Sequence, residues 1–197
     1  MKQILRRSPV SVAMCAIAVI ALTLLDLWTK QIAVDKLSTE RVSLPAKACE
    51  PDDNGRVWMQ RVRTRPVVLI EGYLELRYAE NCGAAFGLLD QAPRIVRMLL
   101  FYVAATIAVI ALLWMYIRGS GGAFFAFSVP FVISGALGNF VDRIRYVYVV
   151  DFIRFHIHDF FEWPTFNVAD AAITVGVFLL LLDGFIKRDK EVSNATR

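Results

Sequence analysis

The chain has 197 residues, of which 57% are hydrophobic and only 20% are charged, which excludes an ordinary soluble domain of this length. Its formal net charge is +4 at neutral pH, but no basic patch is interleaved with aromatic residues, so we expect no nucleic-acid partner. The hydrophobic residues are concentrated in four blocks. Each block is long enough to cross a hydrocarbon core of about 30 Å as a helix.

The four blocks predict one membrane domain that covers residues 1–197. Transmembrane helices are expected at about 10–28, 95–117, 123–141 and 168–186. A periplasmic segment at about 31–94 and a second periplasmic loop at about 142–167 separate them. Because the first block is longer than a signal-peptide core of about 7–15 residues, we expect it to be retained as a helix.

Basic residues in the short flanks predict the orientation, because they favour the cytoplasmic side. They occur at the N-terminus, between the second and third blocks and at the C-terminus, which lie on one side of a four-helix chain. These residues are Lys2, Arg6, Arg7, Arg118, Lys187, Arg188 and Lys190. We therefore expect both termini in the cytoplasm and the two longer loops outside it.

The long outward segment begins with a polar stretch and continues with strand-like sequence. The range 44–66 has three prolines and an Asn-Gly turn signal. After it, Leu74, Leu76 and Tyr78 alternate with polar or small residues, which predicts a half-buried strand in a small sheet on the membrane surface. Cys49 and Cys82 both fall in this segment, and the sequence leaves open whether they form a disulfide.

Ionisable residues at membrane depth are costly and indicate function. Asp26 and Lys30 are four residues apart, so they share a helix face and can either shape a polar site or form a simple helix-end ion pair. In "SGALGNFVDRIR", Asn139, Asp142 and Arg143 fall within about one helical turn. They can orient other polar groups, or they can only cap the helix at the membrane boundary.

Two aspartates near the outer membrane boundary are the strongest catalytic candidates. Asp151 lies in the apolar stretch "YVYVVDFI", and Asp170 lies in "FNVAD", three residues after Asn167, whose side chain can cap the helix. Two carboxyl groups that share a site hold a single proton between them, which suits acid–base attack on a peptide bond. The alternative is two unrelated structural carboxylates at the helix rim.

Two further motifs have both a functional and a structural interpretation. The segment "NCGAAFG", residues 81–87, can be a tight turn or a backbone-exposed clamp for an extended peptide. His156 and His158 would lie on one face of a strand and, with Asp159 and Glu162, could begin a zinc site. The surrounding Phe and Trp residues favour an interfacial aromatic loop instead.

In this order, these motifs resemble the lipoprotein signal peptidase (signal peptidase II) family of bacterial membrane aspartyl peptidases. The resemblance implies an all-α integral membrane protein with four transmembrane helices and a small extracytoplasmic β-cradle. It implies that Asp151 and Asp170 are the catalytic pair. It also implies a set of substrate-binding and supporting residues: Asp26, Lys30, Asn81, Gly83, Ala85, Phe86, Asn139, Asp142, Arg143, Asn167 and Ala169.

The resemblance implies cleavage of prolipoproteins before the diacylglyceryl-modified lipobox cysteine, at the periplasmic face of the inner membrane. Expected partners are the lipidated substrates, bilayer lipids and the cyclic peptide inhibitor globomycin; we expect a monomer with no metal or cofactor. Family members commonly have Thr where Cys82 stands and Ser where Ala171 stands, and the range 44–66 is longer than usual. The alternative function is a non-enzymatic membrane protein that binds signal peptides or transports a substrate.

Overall fold

The computed structural model describes residues 7–44, 46–83 and 94–195. Within these ranges, four helices are long and apolar enough to cross a membrane, and short strands form two small sheets. The predicted fold class, a four-span helical membrane protein with a small β-structure, is therefore confirmed. The proposed substrate-binding residues Ala85 and Phe86 lie outside the described residues.

The helices are longer at several ends than the apolar blocks from which they were predicted. Their bounds are α1 Pro9–Leu37, α2 Arg94–Ile117, α3 Ala123–Tyr146 and α4 Val168–Ala195. Helix α1 begins after Ser8, whose hydroxyl accepts a hydrogen bond from the Ser11 N–H. It continues past the apolar block because Ala33, Val34 and Leu37 pack against the outward β-structure. Helix α4 likewise continues into the polar C-terminal segment.

Strands from both outward segments join in one antiparallel sheet. Strands β1 (Ser38–Glu40) and β2 (Arg61–Arg63) form a separate pair. The four-stranded sheet has the order β3-β4-β5-β6, with bounds Val67–Ile70, Leu74–Asn81, Val149–Ile157 and Phe161–Glu162. Pairing of β4 with β5 places Ala79 opposite Asp151 and Asn81 opposite Val149. The end of the first outward segment therefore lies beside a predicted catalytic residue.

The burial of β4 is less regular than the alternation in its sequence. Tyr78 is buried as expected, and Leu74 and Leu76 are half-buried. Glu75, however, is also buried, because the Arg154 guanidinium donates a hydrogen bond of 2.8 Å to its carboxylate. An ion pair across β4 and β5 thus replaces the polar, solvated face that the sequence pattern predicts.

The polar 44–66 segment is attached to the sheet by a half-buried carboxylate. Glu80 accepts hydrogen bonds from the backbone N–H groups of Gln60 and Arg61, at 2.7 and 3.0 Å, and from the Tyr78 hydroxyl at 3.1 Å. Burial raises the pKa of Glu80, and these three donors oppose that shift. A Cys49–Cys82 disulfide provides a second attachment. The bridge that the sequence left open is therefore present.

Glycine lets the helices approach each other closely around the outer half of the bundle. A Cβ atom at Gly138 of α3 would overlap the carboxylate of Asp26 from α1. A Cβ atom at Gly135 would overlap the backbone carbonyl of Ala169 at the start of α4. Small residues at such contacts are typical of packed membrane helices. The contacts bring the polar residues of α1, α3 and α4 together.

The N-terminus of α3 is capped by a side chain from α4. Gly122, at the N-cap, has no side chain to satisfy the first amides of the helix. The buried Asp183 carboxylate accepts from the Gly122 N–H at 2.9 and 3.0 Å and from the Phe125 N–H at 3.2 Å. A carboxylate at a helix N-terminus also interacts favourably with the helix dipole. Asp183 therefore fixes the pairing of α3 with α4.

We predict that Asp183→Ala destabilises the protein by about 1–3 kcal/mol, because it leaves the first amides of α3 unsatisfied. The measurement is the thermal unfolding midpoint of the purified protein in detergent. The matched control is Lys187→Ala: Lys187 is exposed and lies 3.9 Å from the same carboxylate, so its loss should cost less than about 1 kcal/mol. Equal effects of the two substitutions would contradict the capping role.

Candidate active site

Asp151 is a buried carboxylate on β5 that is held by two amide side chains. Its side chain is only 2% exposed. Its Oδ1 accepts a hydrogen bond of 2.6 Å from Asn167 Nδ2, and its Oδ2 accepts one of 3.0 Å from Asn81 Nδ2. Burial, and then the negative charge of Asp170, raise the pKa of Asp151, while the two amide donors oppose the shift. The site therefore favours a protonated Asp151 more than an exposed position would.

Asp170 occupies the first turn of α4, where the environment favours a negative charge. Its Oδ2 accepts from the Asn167 backbone N–H at 3.2 Å, and its own N–H donates to Asn167 Oδ1 at 2.9 Å. This is a reciprocal capping arrangement. Asn139 Nδ2 donates to the other oxygen, Oδ1, at 2.8 Å. Because Asp170 is half-buried rather than fully buried, it is the more accessible of the two carboxylates.

Asn167 connects the two aspartates. It is fully buried, and its side-chain amide donates to Asp151 while its backbone amide donates to Asp170. The same Nδ2 also lies 3.2 Å from Asn139 Oδ1 and 3.3 Å from the Val150 carbonyl. One residue thus sets the position of both carboxyl groups. The sequence predicts Asn167 as a cap for α4, but not its contact with Asp151.

A buried charge cluster lies beside the two aspartates. Lys30 Nζ is 2.8 Å from Asp26 Oδ2, 3.2 Å from Asp142 Oδ2 and 2.9 Å from Asn139 Oδ1. All three charged side chains are nearly inaccessible. Asp26 also accepts from the Ala169 N–H at 2.8 Å. The cluster joins α1, α3 and the start of α4. It is therefore more extensive than the simple helix-end ion pair that the sequence allowed as an alternative.

Asp142 extends this cluster to the sheet. Its Oδ2 accepts a hydrogen bond of 3.0 Å from the Val150 N–H, next to Asp151 in the chain. The end of α3 turns into β5 through Val147, which has a left-handed backbone with φ of 73° and donates its N–H to the Arg143 carbonyl. Asp142 therefore positions the strand segment that carries Asp151.

Arg143 connects the site to the end of β4. Its guanidinium donates to the Gly83 carbonyl at 3.1 Å and to the Asn139 carbonyl at 3.4 Å. The charged group also lies 4.4 Å from the centre of the Phe101 ring of α2. Phe101 could not be singled out from the sequence, because it is one of many apolar residues in a transmembrane helix.

The structure brings together every predicted site residue that lies in the described ranges. These are Asp26, Lys30, Asn81, Gly83, Asn139, Asp142, Arg143, Asp151, Asn167, Ala169 and Asp170. Their contacts show that these side chains and backbone groups lie close together around Asp151 and Asp170.

The residues of the alternative zinc site have other contacts. Glu162 accepts from Arg154 at 2.7 and 2.8 Å and from Arg77 at 3.0 Å, and its bonds to Arg154 lower the pKa of Glu162 to about 2. The His158 ring lies edge-on against Tyr73, with the ring centres 5.2 Å apart. Within the described residues, no three His, Cys, Asp or Glu side chains converge as metal ligands would.

A family model described as "Signal peptidase (SPase) II" matches residues 18–186. The chain belongs to the signal peptidase II family. Signal peptidase II cleaves the signal peptides of prolipoproteins, so this chain is a member of a peptidase family and has four helices that are long and apolar enough to cross a membrane. The predicted family is confirmed, and no finding favours the alternative of a non-enzymatic binding or transport protein.

Several curated signal peptidase II relatives align with a large part of this chain. The lipoprotein signal peptidase of Syntrophus aciditrophicus is 39% identical over 127 residues, which cover 64% of this chain and 77% of the relative. The one from Clostridium tetani is 37% identical over 118 residues, covering 59% and 72%. The one from Alteromonas mediterranea is 29% identical over 168 residues, covering 85% and 78%.

A solved structure described as a bacterial membrane enzyme has a similar fold. It aligns with a TM-score of 0.65 and 26% identity over 92% of this chain and 91% of that chain. A second structure with the same description aligns with a TM-score of 0.59 and 26% identity, over 86% and 91%. Both alignments therefore cover most of this chain.

We predict that Lys30→Met destabilises this signal peptidase II family member by about 3–5 kcal/mol, because it leaves Asp26 and Asp142 buried without their cation. Thermal unfolding in detergent measures the loss. Lys36→Met is the matched control, since Lys36 lies on the same helix with its side chain exposed. Adding Asp26→Asn to Lys30→Met should recover part of the stability. No recovery would contradict the charge-pairing argument.

Proposed function

We propose that this chain is an aspartyl endopeptidase that cleaves diacylglyceryl-modified prolipoproteins immediately before the lipidated cysteine, with Asp151 and Asp170 as its catalytic pair. The observation that carries the proposal is that Asn167 donates a hydrogen bond to each of the two carboxyl groups. Two carboxyls held by one residue, one deeply buried and one accessible, provide the unequal acid and base that peptide hydrolysis needs.

The environments of the two aspartates support different roles. Asp170, at the N-terminus of α4, acts as the base and takes a proton from water as the water oxygen attacks the scissile carbonyl carbon. Asp151 carries the shared proton and donates it to the carbonyl oxygen, forming a neutral tetrahedral intermediate. When the intermediate collapses, Asp170 transfers the proton it received from water to the departing amine, and Asp151 takes back a proton from a hydroxyl of the intermediate. The scissile C–N bond breaks, and the pair again holds one proton.

The supporting residues fix this geometry. Asn139 donates to Asp170 and accepts from Lys30, so the buried charge cluster orients the base. Asn81 donates a hydrogen bond to Asp151. Arg143 donates one to the carbonyl of Gly83, which is two residues after Asn81. We assign substrate contact to the backbone around Gly83 and, by the family resemblance, to Ala85 and Phe86. The inhibitor globomycin, as a cyclic peptide, would occupy the same region.

The proposed orientation places this site at the periplasmic face of a bacterial inner membrane, with both termini in the cytoplasm. The Cys49–Cys82 disulfide supports it, because disulfides persist in oxidising compartments such as the periplasm. Aromatic side chains at the rim of the sheet support it as well: Phe160 is 91% exposed and Trp163 is 45% exposed. Such residues favour the boundary between lipid and water, where a lipid-bearing substrate would arrive from the bilayer.

We predict that Asp151→Asn and Asp170→Asn each lower the cleavage rate of a lipidated precursor by about 10²–10⁴-fold, because each removes one member of the acid–base pair. The measurement is the rate at which purified enzyme releases the signal peptide from a diacylglyceryl-modified peptide. Asp159→Asn is the matched control, since Asp159 is exposed in the turn after β5 and should leave the rate unchanged.

Two results would contradict this assignment. One is wild-type cleavage by either Asn variant in a folded, monodisperse preparation. The other is loss of wild-type activity with a chelator and its return with zinc, which would favour the site around His156 and His158. An unlipidated peptide of the same sequence tests the substrate class, and we expect it to be cleaved more slowly.

We predict a bell-shaped dependence of kcat on pH, because the active pair holds one proton. Activity should fall on the alkaline side when the last proton leaves, at a pH well above the ordinary range for an aspartate, since burial and Asp170 raise the pKa of Asp151. The measurement is kcat with saturating lipopeptide across the pH range in which the protein stays folded. An alkaline limb near the ordinary aspartate pKa of about 4 would contradict the coupling.

A further inference from the structure

We propose that the Cys49–Cys82 disulfide positions the catalytic pair: it holds the end of β4 so that the Asn81 side chain keeps its amide nitrogen directed at Asp151. The inference deepens the proposed function and rests on the role assigned there to Asp151. It makes Cys49 and Cys82 positioning residues that act through Asn81. The family resemblance assigns them no such role, because family members commonly have Thr where Cys82 stands.

The first step is the location of Asn81 relative to Asp151. Asn81 is the last residue of β4 and pairs with Val149, so its side chain is diagonal to Asp151 on the same face of the sheet. The residue directly opposite Asp151 is Ala79, whose small side chain leaves room for the Asn81 amide to reach the carboxylate. The resulting hydrogen bond, Asn81 Nδ2 to Asp151 Oδ2, is 3.0 Å long.

The second step is the orientation of the Asn81 amide. Its Oδ1 accepts a hydrogen bond of 3.1 Å from the Gly83 N–H, two residues further along the chain. With the oxygen held by Gly83, the nitrogen must face Asp151. A rotated amide would instead place its oxygen against the carboxylate and lose the donor. The position of Gly83 therefore controls whether Asp151 has a hydrogen-bond donor on Oδ2.

The third step is how Gly83 is held. Its carbonyl accepts from the Arg143 guanidinium at 3.1 Å, and the residue between it and Asn81 is Cys82. Cys82 therefore lies at the centre of the turn that orients the Asn81 amide. The crosslink attaches this turn to Cys49 as well.

The fourth step is that the other half of the crosslink is firmly placed. Cys49 is buried, with 4% of its surface exposed, and packs in a cluster with Tyr148 and Val150 of the segment that leads to Asp151. The segment that follows Cys49 is held to the sheet by the Glu80 carboxylate. Cys82 is thus tied to a fixed point of the core.

Loss of the crosslink should therefore change the proton affinity of the pair Asp151 and Asp170. Without the crosslink, the turn at Cys82 is released, Gly83 no longer fixes the Asn81 amide, and ionised Asp151 loses a donor. The charged groups that face Asp151 are Asp170 from α4, Lys30 from α1 and Arg143 with Asp142 from α3. The contacts of Lys30, Asp142 and Asp170 and the bond from Arg143 to the Asn139 carbonyl do not involve the turn, so only the Asn81 donor is lost and the last proton of the pair becomes harder to remove. The alkaline limb of the kcat profile then moves to higher pH.

The test compares Cys49→Ala, Cys82→Ala and the double variant with the wild type, using cleavage of a diacylglyceryl-modified signal peptide. Because a crosslink needs both cysteines, the three variants should show the same loss of kcat, about tenfold, with KM changed much less. The alkaline limb should shift upward by about one pH unit. Adding Asn81→Ala to the double variant should cause no further loss of kcat and no further shift.

Reversible reduction of the wild type avoids the question of whether the variants fold. Dithiothreitol should lower kcat and shift the profile as the variants do, and reoxidation should restore both. The matched control is Cys15→Ala, which removes the free thiol of α1, remote from the crosslink, and should respond to reduction as the wild type does. A thermal midpoint that remains above the assay temperature confirms that the reduced enzyme stays folded, even if the midpoint falls.

Three outcomes would overturn the inference: wild-type kcat and pH profile in the folded double variant; a loss of kcat with an unshifted profile; or additive effects of Asn81→Ala and the double variant. Each is distinguishable from failure of the proposed function. If the oxidised wild type does not cleave the lipidated peptide at all, the proposed function fails. If it does cleave and the crosslink has no such effect, only this inference fails.

Discussion

One buried ammonium group organises the end of the helical bundle that contacts the sheet. Lys30 lies between Asp26 and Asp142 and also donates to Asn139, so a single side chain of α1 contacts α3 at two places and, through Asp26, the start of α4. Removing such charges from water is costly unless each is paired and hydrogen-bonded. Because each of these buried charges needs a partner, only a few arrangements of α1, α3 and α4 are possible. The glycine at position 138, whose Cβ would overlap Asp26, lets the arrangement close.

The asymmetry between the two aspartates follows from the elements that carry them. Asp151 belongs to a strand whose neighbours bury it, so its charge is disfavoured. Asp170 belongs to the first turn of a helix, where backbone amides and the helix dipole favour its charge. Asn167 is the last residue before that helix and reaches both. The junction of a strand-bearing loop with a helix N-terminus thus brings two carboxyl groups of unequal burial into contact with one residue.

The sequence predicts the features that depend on local pattern. Hydropathy predicts the four spans, and the spacing of Asp26 and Lys30 predicts that they share a helix face. Contacts between distant segments are different. Nothing near Asn167 indicates that its amide reaches Asp151, and nothing near Glu80 indicates that it binds the backbone of Gln60 and Arg61. Such contacts depend on strand pairing and helix crossing. The family resemblance indicates that Asn167 supports the site of Asp151, but it gives no indication of the contacts of Glu80.

The location of the site at the edge of the bundle has a physical cause. A peptide bond can be hydrolysed only when its backbone is not protected in a helix, and an unpaired backbone is strongly disfavoured in hydrocarbon. The site lies where the helices meet the sheet, and there the chain offers amides and carbonyls of its own, at Asn81, Gly83 and Val150. A substrate helix that unwinds at this level would exchange its internal hydrogen bonds for contacts with these groups. The same level is where a lipid chain attached to the substrate could remain in the bilayer. Under the proposed function, this position would allow an anchored peptide to lose its helical protection at low cost.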